Sequence, residues 1–352
     1  MPILDKNNKE QVEKYKKFLN SSEYTKLTQA LEWGKVKKEW NQEAVYLEEN
    51  GQIIAGMTIL LEKVPHFNSY LMYAPRGPVC DCCNIELVNL LMNDVNNIAK
   101  KYNAFCMKFD PAIRYSKDIE DLYKKNGYIT SGLSTDHDRL IQPEYDAILD
   151  IDNISEEELI KRFSEKTRYN IRLSSRKGVE VYYSNSKEDL KIFYELYKIT
   201  TIRDKIGCRS YEYFEQMLDA YDNEHIRVYI AKNENDYLSA AIAVTYGTEM
   251  FYLYGASSNE KRNLMPNYLM QWEMIKWGIE KNCKTYNFGG IINLNKDDGL
   301  YKFKTGFCKE EGIFRYIGEI NKVYDKKIYF AYDRIFPLIK KIKRKVRKFK
   351  SE

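Results

Sequence analysis

Hydrophobic and polar residues alternate along several stretches of the chain, and this pattern predicts β-hairpins. Alternation runs from Ala44 to Glu48 and from Ile53 to Leu61, on either side of Asn50-Gly51. Asn-Gly between two such runs favours a tight turn, because both residues adopt positive φ readily. The same alternation predicts a second hairpin from strands 225–232 and 237–246.

Apolar residues at helical spacing predict helices between the strands. The predicted helices cover residues 10–19, 156–177, 187–204, 211–221, 85–102 and 268–281. Further strands are predicted at residues 70–73, 105–109, 179–183, 250–254, 285–288 and 314–320. Trp33 and Trp40 also stand at a spacing that is compatible with one helix.

One order of elements occurs twice. NSYLMYAPRG in the first half corresponds to EMFYLYGASS in the second, and each leads through a loop and a helix to a short strand, CMKFD or TYNFG. Hairpin, strand, open loop, helix and strand is the core order of the acetyltransferase (GNAT-like) α+β fold. We therefore predict two such domains, residues 1–145 and 146–318, with a linker near 141–147 and a cleft between the domains. Residues 319–352 are expected to pack back on the first domain.

Composition agrees with a folded chain of this size. The 352 residues are enough for two cores, and 44% hydrophobic with 30% charged residues is typical of globular proteins. Seven cysteines, an odd number, argue against a disulfide framework and indicate a reducing compartment. No apolar run approaches the roughly 18 residues that a membrane span needs. We expect a cytoplasmic protein and a monomer.

The net charge of +5 is concentrated in the tail. Eight basic residues lie between Lys340 and Lys350, so the rest of the chain carries a net charge of about −2. Apolar residues recur at helical spacing through the same segment: Ile335, Leu338 or Ile339, Ile342, Val346 and Phe349. A basic amphipathic helix at 335–350 suits an anionic membrane surface or another polyanion. A terminal helix that docks on the body and has a solvated charged face is the other interpretation.

A Gly-Gly pair ends the strand 285–288 and opens the segment IINLNKDDGLYKFK. Paired glycines allow a sharp turn and a close approach of the backbone to a ligand. A helical turn with Tyr301, Phe303 and Lys304 follows, and packing of its aromatic residues holds the lysine near that opening. On spacing alone, an ordinary surface loop with a solvated lysine is the simpler interpretation of Lys304.

Coenzyme A and metal sites are poorly supported. A pyrophosphate-binding loop needs backbone N–H groups before a helix, usually supplied by glycines. The corresponding segments are PVCDCC at 78–83 and KRNLMP at 261–266, and Pro266 removes a donor. Cys80-Asp81-Cys82-Cys83 has no second ligand pair at zinc spacing. His66, His137 and His225 stand apart from one another, so we expect no metal.

The chain resembles the Fem family (FemABX type) of peptidoglycan-bridge aminoacyltransferases over nearly its whole length. The motifs that carry the resemblance are TQALEWGKVKKEW, YAPRGPV, CMKFDP, RFSEKTRYNIRLSSRKG, ITTIRD, YLYGASS with PNYLMQW, and YNFGG with GLYKFKTGF and the IGE strand. Members have two GNAT-like domains and need no cofactor. They move an amino acid from aminoacyl-tRNA to the stem-peptide diamino acid of lipid II or UDP-MurNAc-pentapeptide.

The resemblance implies ester aminolysis, in which a neutral amine attacks the aminoacyl ester and an oxyanion develops. Such a reaction needs positive charge at the oxyanion and alignment of two large substrates. Lys304 matches the essential lysine of the family and is expected to stabilise the oxyanion or the leaving group, with Phe303 packed beside it. Lys37 and Arg203 match positions that hold the phosphates of the precursor.

Other candidates have structural alternatives. Asp110 matches a strand-end aspartate of the family and is a candidate base, but Asp-Pro at a strand end often caps a turn. Three residues at the two equivalent strand ends are expected to line the acceptor site or to pack at its rim: Arg76, Tyr252 and Tyr254. Three arginines recur every four residues on one helix and form either a tRNA-phosphate contact or a solvated basic face: Arg168, Arg172 and Arg176.

Several members carry a long coiled-coil arm in the second domain, whereas here Lys232 to Leu238 is only a hairpin turn. We expect an armless form, a lipid-linked acceptor because of the basic tail, and glycine as the transferred residue, with alanine or serine as alternatives. Two other functions remain open at this stage. One is a CoA-dependent N-acyltransferase, and the other is a non-catalytic adaptor for membrane or nucleic acid.

Overall fold

The computed structural model describes residues 3–64, 67–131, 141–292 and 294–335. These residues form two compact units. Unit 1 contains the described parts of residues 1–12, 39–134 and 317–352, and unit 2 those of residues 13–38 and 135–316. Residues 13–38 thus pack within unit 2, where Lys26 forms a salt bridge of 2.6 Å with Glu249. The division by sequence had assigned them to the first domain.

The strands, in chain order, are β1 (Asn41–Glu49), β2 (Gln52–Lys63), β3 (Tyr70–Ala74), β4 (Ala104–Phe109), β5 (Ile129–Thr130), β6 (Tyr145–Asp150), β7 (Glu180–Ser184), β8 (Ile226–Asn233), β9 (Asp236–Tyr246), β10 (Glu249–Ser257), β11 (Thr285–Gly290), β12 (Ile313–Arg315) and β13 (Ile320–Val323). The α-helices are α1 (Lys9–Ser21), α2 (Leu31–Val36), α3 (Ile85–Lys101), α4 (Lys117–Lys125), α5 (Glu156–Arg162), α6 (Glu165–Arg176), α7 (Lys187–Asp204), α8 (Tyr211–Ala220), α9 (Pro266–Glu280), α10 (Gly299–Cys308) and α11 (Lys326–Phe330). Short 3-10 turns lie at Leu27–Gln29 and Arg262–Leu264, and a π-helical turn at Ala331–Ile335.

The sheet of unit 1 has the strand order β1-β2-β3-β4-β13-β5. β1 and β2 form the predicted hairpin, and Asn50 and Gly51 at its turn both have positive φ, 50° and 79°. β3 and β4 are parallel and are connected through α3. The apolar face of α3 is buried on the sheet, and Asn84 caps the helix by accepting a hydrogen bond from the Leu87 N–H.

The sheet of unit 2 has the order β12-β6-β11-β10-β9-β8-β7. β10 and β11 are parallel and are connected through α9, which repeats the order of β3, α3 and β4 in unit 1. β8 and β9 form the second predicted hairpin, and only Glu234 and Asn235 connect them. The place where we expect no arm is therefore a two-residue turn.

Two predicted elements are wrong, and the helical spacing of Trp33 and Trp40 does not correspond to one helix. The helix predicted at 156–177 is two helices, because Phe163 is extended and Ser164 begins α6 by accepting a hydrogen bond of 3.2 Å from the Thr167 N–H. The strand predicted at 314–320 is two strands, since β12 pairs with β6 in the second sheet and β13 pairs with β4 in the first. α2 ends at Val36, so Trp40 is not on the same helix as Trp33.

Some predictions fall on residues that the structure does not describe. The basic tail predicted at 335–350 lies outside the described residues beyond Ile335, and so do His66 and His137. Among the residues that are described, no helix combines the length and the apolar character needed to cross a bilayer.

Candidate active site

Lys304 is held by α10, a helix whose buried residues fix its orientation. Asp298 caps the helix by accepting a hydrogen bond of 2.9 Å from the Tyr301 N–H. Tyr301, Lys304 and Phe307 recur three residues apart and are all buried, so the lysine side chain lies on the inner face of the helix. Only 4% of Lys304 is exposed.

The ammonium group of Lys304 meets the Gly-Gly pair at the end of β11. Lys304 Nζ donates to the carbonyl oxygens of Gly289, at 3.1 Å, and Gly290, at 2.8 Å. Burial lowers the pKa of Lys304 to about 8, and the nearby charge of Asp146 opposes this shift. The site thus contains a buried lysine that titrates close to physiological pH.

The turn that receives Lys304 requires glycine at both positions. Gly289 has a φ of +74°, a conformation that side chains disfavour. At Gly290 an added Cβ would lie 2.5 Å from Cγ of Pro143. The paired glycines therefore set the position of the two carbonyl oxygens that hold the lysine.

A buried polar network, which the sequence did not predict, holds this turn in place. Asn287 Oδ1 accepts a hydrogen bond of 2.8 Å from the Gly289 N–H, and Asn287 Nδ2 donates to Asp146 Oδ2 at 3.1 Å. Tyr316 donates to the same carboxylate oxygen at 2.8 Å. Asn287, Asp146 and Tyr316 are each at most 3% exposed. A polar residue at the centre of an apolar strand, as Asn287 is in TYNFGG, was the available sequence signal.

The parallel strands β10 and β11 separate next to the Gly-Gly turn. Their pairing ends at Phe251 and Asn287, whereas β10 continues to Ser257 with β9 as its neighbour. Tyr252 lies at the start of this separation, and its carbonyl oxygen would be 3.7 Å from a Cβ on Gly289. Burial raises the pKa of Tyr252 to about 12, and a hydrogen bond to Gln271 opposes that shift. The two strands therefore do not pair beside the carbonyl oxygens of Gly289 and Gly290, which bind Lys304.

A second cluster of unit 2 gathers two cations around Tyr213. Lys37 Nζ donates to Tyr213 Oη at 3.3 Å, and Tyr254 donates to the same oxygen at 3.2 Å. Lys37 Nζ is 5.1 Å and Arg209 Cζ is 5.3 Å from the centroid of the Tyr213 ring. Burial, and then the charge of Arg209, lower the pKa of Lys37 to about 8. Two cations that repel each other in this way suit an anionic ligand. Arg209 was missed by the sequence analysis.

Arg203 and Phe303 occupy different positions from those two clusters. Arg203 Nη1 donates to Ser257 O at 3.1 Å and forms a salt bridge of 2.8 Å with Asp204 through Nε, so it supports the end of β10. The Phe303 ring packs edge-on against Tyr268 with centroids 4.9 Å apart. A cavity of about 160 Å³ in unit 2 is lined in part by Phe303, Tyr268 and Ser257.

The three arginines predicted on one helix lie on α6, but they do not form one uniform face. Arg172 and Arg176 are exposed. Arg168 is half-buried, and its Nη1 donates to the carbonyl oxygens of Lys161, at 3.1 Å, and Phe163, at 2.5 Å. Arg168 therefore satisfies the carbonyl groups at the end of α5.

Asp110 and Arg76 belong to unit 1. Asp110 is buried at the end of β4 and accepts hydrogen bonds from the Arg76 N–H, at 2.7 Å, and from the Tyr73 hydroxyl, at 3.0 Å. Burial raises the pKa of Asp110 to about 6, against the opposing charge of Arg76. Arg76 has a φ of +55°, so the hydrogen bond from its N–H to the Asp110 carboxylate stabilises a strained turn after β3. This arrangement favours the structural interpretation of Asp110.

The fold defines a class of protein with two acetyltransferase-like domains. The chain is similar to a tandem GNAT protein from the clavulanic acid biosynthesis pathway, with a TM-score of 0.53 over 91% of this chain and 97% of the other, at 8% identity. Its similarity to the crystal structure of FemX is much greater, with a TM-score of 0.83 over 95% of this chain and all of the other, at 27% identity. The predicted pair of GNAT-like domains is confirmed.

The family follows from sequence comparison. Residues 11–236 and 229–335 match the FemAB family, and the chain belongs to that family. The UDP-N-acetylmuramoylpentapeptide-lysine N(6)-alanyltransferase of Weissella viridescens is 35% identical over 94% of this chain and 98% of its own length. The lipid II:glycine glycyltransferase of Staphylococcus epidermidis strain RP62A is 30% identical over 95% of this chain and 97% of its own length. The predicted Fem family is confirmed.

Proposed function

We propose that this protein is a peptidoglycan-bridge aminoacyltransferase, which transfers an amino acid from aminoacyl-tRNA to the stem-peptide amino group of a cell-wall precursor. The observation that carries the proposal is the buried ammonium group of Lys304 beside the separated strands β10 and β11, in a chain of the FemAB family. Its relatives are named for transfer of alanine or glycine to such precursors, which supports the reaction class.

The reaction joins the acceptor amine to the carbonyl carbon of the aminoacyl ester. As the C–N bond forms, the carbonyl oxygen becomes an oxyanion, and collapse of this intermediate breaks the bond to the ribose oxygen. The proton lost by the amine goes to the ribose oxygen, directly or through the substrate. A positive charge placed at the oxyanion is what the enzyme must supply for this step.

Lys304 has the properties that such a donor requires. With a pKa of about 8, it is about nine-tenths protonated at pH 7. Its ammonium group has three N–H donors, and the carbonyl oxygens of Gly289 and Gly290 engage two of them. We assign the third to the oxyanion. Because the lysine is already desolvated and fixed, little reorganisation is needed during the reaction.

Lys37 and Arg209 are assigned to the phosphates of the precursor. Both approach Tyr213, and the repulsion between them would be relieved by a bound pyrophosphate. Arg203 was predicted for this task, but its guanidinium is engaged by Asp204 and Ser257. We therefore assign Arg203 to support of β10, and Arg209 to the ligand.

A transfer assay tests the proposal. Full-length wild-type protein is incubated with tRNA charged with glycine, alanine or serine, and with lipid-linked or UDP-linked precursor. Incorporation with at least one pairing is expected, and Lys304→Met should lower its rate by about 10²–10³ without loss of precursor binding. Lys302→Met is a matched control, because Lys302 lies on the same helix with its side chain 58% exposed.

Two results would contradict the proposal. Absence of incorporation with every pairing, in a protein that binds the precursor, would favour an adaptor. Transfer of an acyl group from coenzyme A would favour an ordinary acetyltransferase activity.

A further inference from the structure

Three isoleucines are exposed at the C-terminal end of α7 and just after it. Ile199 is 40%, Ile202 79% and Ile206 53% exposed. Ile199 and Ile202, three residues apart, lie on the same side of α7, and Ile206 follows the helix end, beyond the left-handed Lys205. The opposite face of α7 is buried through Leu190, Phe193, Leu196 and Tyr197. The buried face thus holds α7 on its unit, while the isoleucines lie away from that face.

The same segment is cationic. Between residues 195 and 209 there are four basic and two acidic side chains. The two carboxylates are already paired, Glu195 with Lys198 at 2.8 Å and Asp204 with Arg203 at 2.8 Å. The other two cations, Lys205 and Arg209, are exposed on either side of Ile206. Exposed apolar side chains with flanking positive charge suit the surface of an anionic bilayer.

We propose that Ile199, Ile202 and Ile206, the α7 isoleucine patch, dock the protein on the anionic membrane that carries a lipid-linked acceptor. This inference rests on the proposed function. The phosphates of a lipid-linked precursor lie at the membrane surface. Arg209, which we assign to those phosphates, follows Ile206 by three residues, at most about 11 Å of extended chain. A phosphate that reaches Arg209 from a bilayer therefore brings the patch to that bilayer.

Vesicle binding tests the patch directly. Full-length protein is sedimented with vesicles of phosphatidylglycerol and phosphatidylcholine, and the Ile199→Gln/Ile202→Gln variant is compared with wild type. We expect the variant to bind about tenfold more weakly, since it loses two apolar contacts with the lipid. The matched control is Ile54→Gln/Ile129→Gln, which changes two exposed isoleucines of unit 1 and should bind as wild type does.

An activity comparison separates membrane docking from a role in folding or chemistry. With lipid-linked precursor in vesicles, the α7 variant should show a raised apparent KM at an unchanged kcat. With the water-soluble UDP-linked precursor, its transfer rate should equal that of wild type. The basic tail is present in every protein compared, so its contribution cancels.

Three results would count against these conclusions. Equal vesicle binding by wild type and the α7 variant would overturn the inference, and so would equal loss of transfer with both acceptors. Failure of wild type to transfer to either acceptor would instead refute the proposed function. The vesicle comparison would still show whether the α7 isoleucine patch binds an anionic membrane.

Discussion

Substitution of Lys304 by methionine separates the energetic cost of the buried ammonium group from its use in the reaction. The pKa falls from 10.5 to about 8 on folding, which corresponds to about 3 kcal/mol in favour of the neutral amine. Methionine removes this penalty at similar volume. It also leaves the carbonyl oxygens of Gly289 and Gly290 without their lysine donor, at about 1–3 kcal/mol for a buried acceptor. With two acceptors affected, the terms oppose each other and largely cancel, so the free energy of unfolding at pH 7 should change by at most about 3 kcal/mol.

The pH dependence of stability gives a sharper test. Between pH 8 and 10.5, the unfolded chain holds a proton on Lys304 that the folded protein has released. The stability of the wild type relative to Lys304→Met should therefore rise with pH across this window, by up to about 3 kcal/mol in total. Below pH 8 the difference should be flat. Other titrating groups are shared by the two proteins, so their contributions cancel in the difference.

The measurement is denaturant unfolding followed by tryptophan fluorescence at pH 7, 8, 9 and 10, with Lys302→Met as the control. A difference that stays flat up to pH 10 would refute the low pKa of Lys304. In the transfer assay, Lys304→Met should lower kcat by about 10²–10³, the usual effect of removing one oxyanion donor. A kcat within tenfold of wild type would refute the catalytic assignment, whatever the stability data show.

Three further predictions concern the surroundings of this lysine and the second cluster. Lys37→Met and Arg209→Met should each raise KM for a phosphate-bearing precursor by about 10–100-fold at similar kcat, whereas equal KM values would remove both from the phosphate site. Asp146→Asn should shift the alkaline limb of kcat to lower pH, because the charge of Asp146 raises the pKa of Lys304; an unshifted limb in a pH–rate profile would contradict this. Asp110→Asn should lower the unfolding free energy by about 1–2 kcal/mol and leave kcat within about threefold. A hundredfold loss of kcat would instead identify Asp110 as catalytic.

Local patterns were sufficient for much of the fold. Alternation and turn chemistry predicted the hairpin at Asn50-Gly51, where the two positive φ values are the reason for that pair. The errors in the predicted strands arose where pairing with distant strands determines the structure. Phe314 to Ile320 has the composition of one strand, but its two ends pair in different sheets. Local β propensity does not distinguish one continuous strand from two strands in different sheets, because it reflects the fit of side chains to neighbouring strands.

The candidate site shows a similar division between what is local and what depends on the fold. Lys304 and the Gly-Gly pair are 14 and 15 residues apart, within one segment, and motif reasoning connected them. Asp146 lies 141 residues before Asn287, and their hydrogen bond exists only because β6 and β11 are neighbours. Arg209 was overlooked for the same reason, since its approach to Lys37 depends on the packing of α2 against α8. Spacing along the chain carries no information about such contacts.

Asp146 connects the geometry of the site to its electrostatics. Asp146 accepts a hydrogen bond from Asn287, and Asn287 in turn accepts one from the Gly289 N–H. This chain of hydrogen bonds fixes the turn whose carbonyl oxygens bind Lys304. The same carboxylate raises the pKa of Lys304 against the effect of burial. Burial alone would move the lysine further toward a neutral amine, which can donate a hydrogen bond but cannot supply a full positive charge. A buried carboxylate whose charge raises the pKa of Lys304 lets the lysine be both desolvated and protonated near neutral pH, and an oxyanion donor needs both properties.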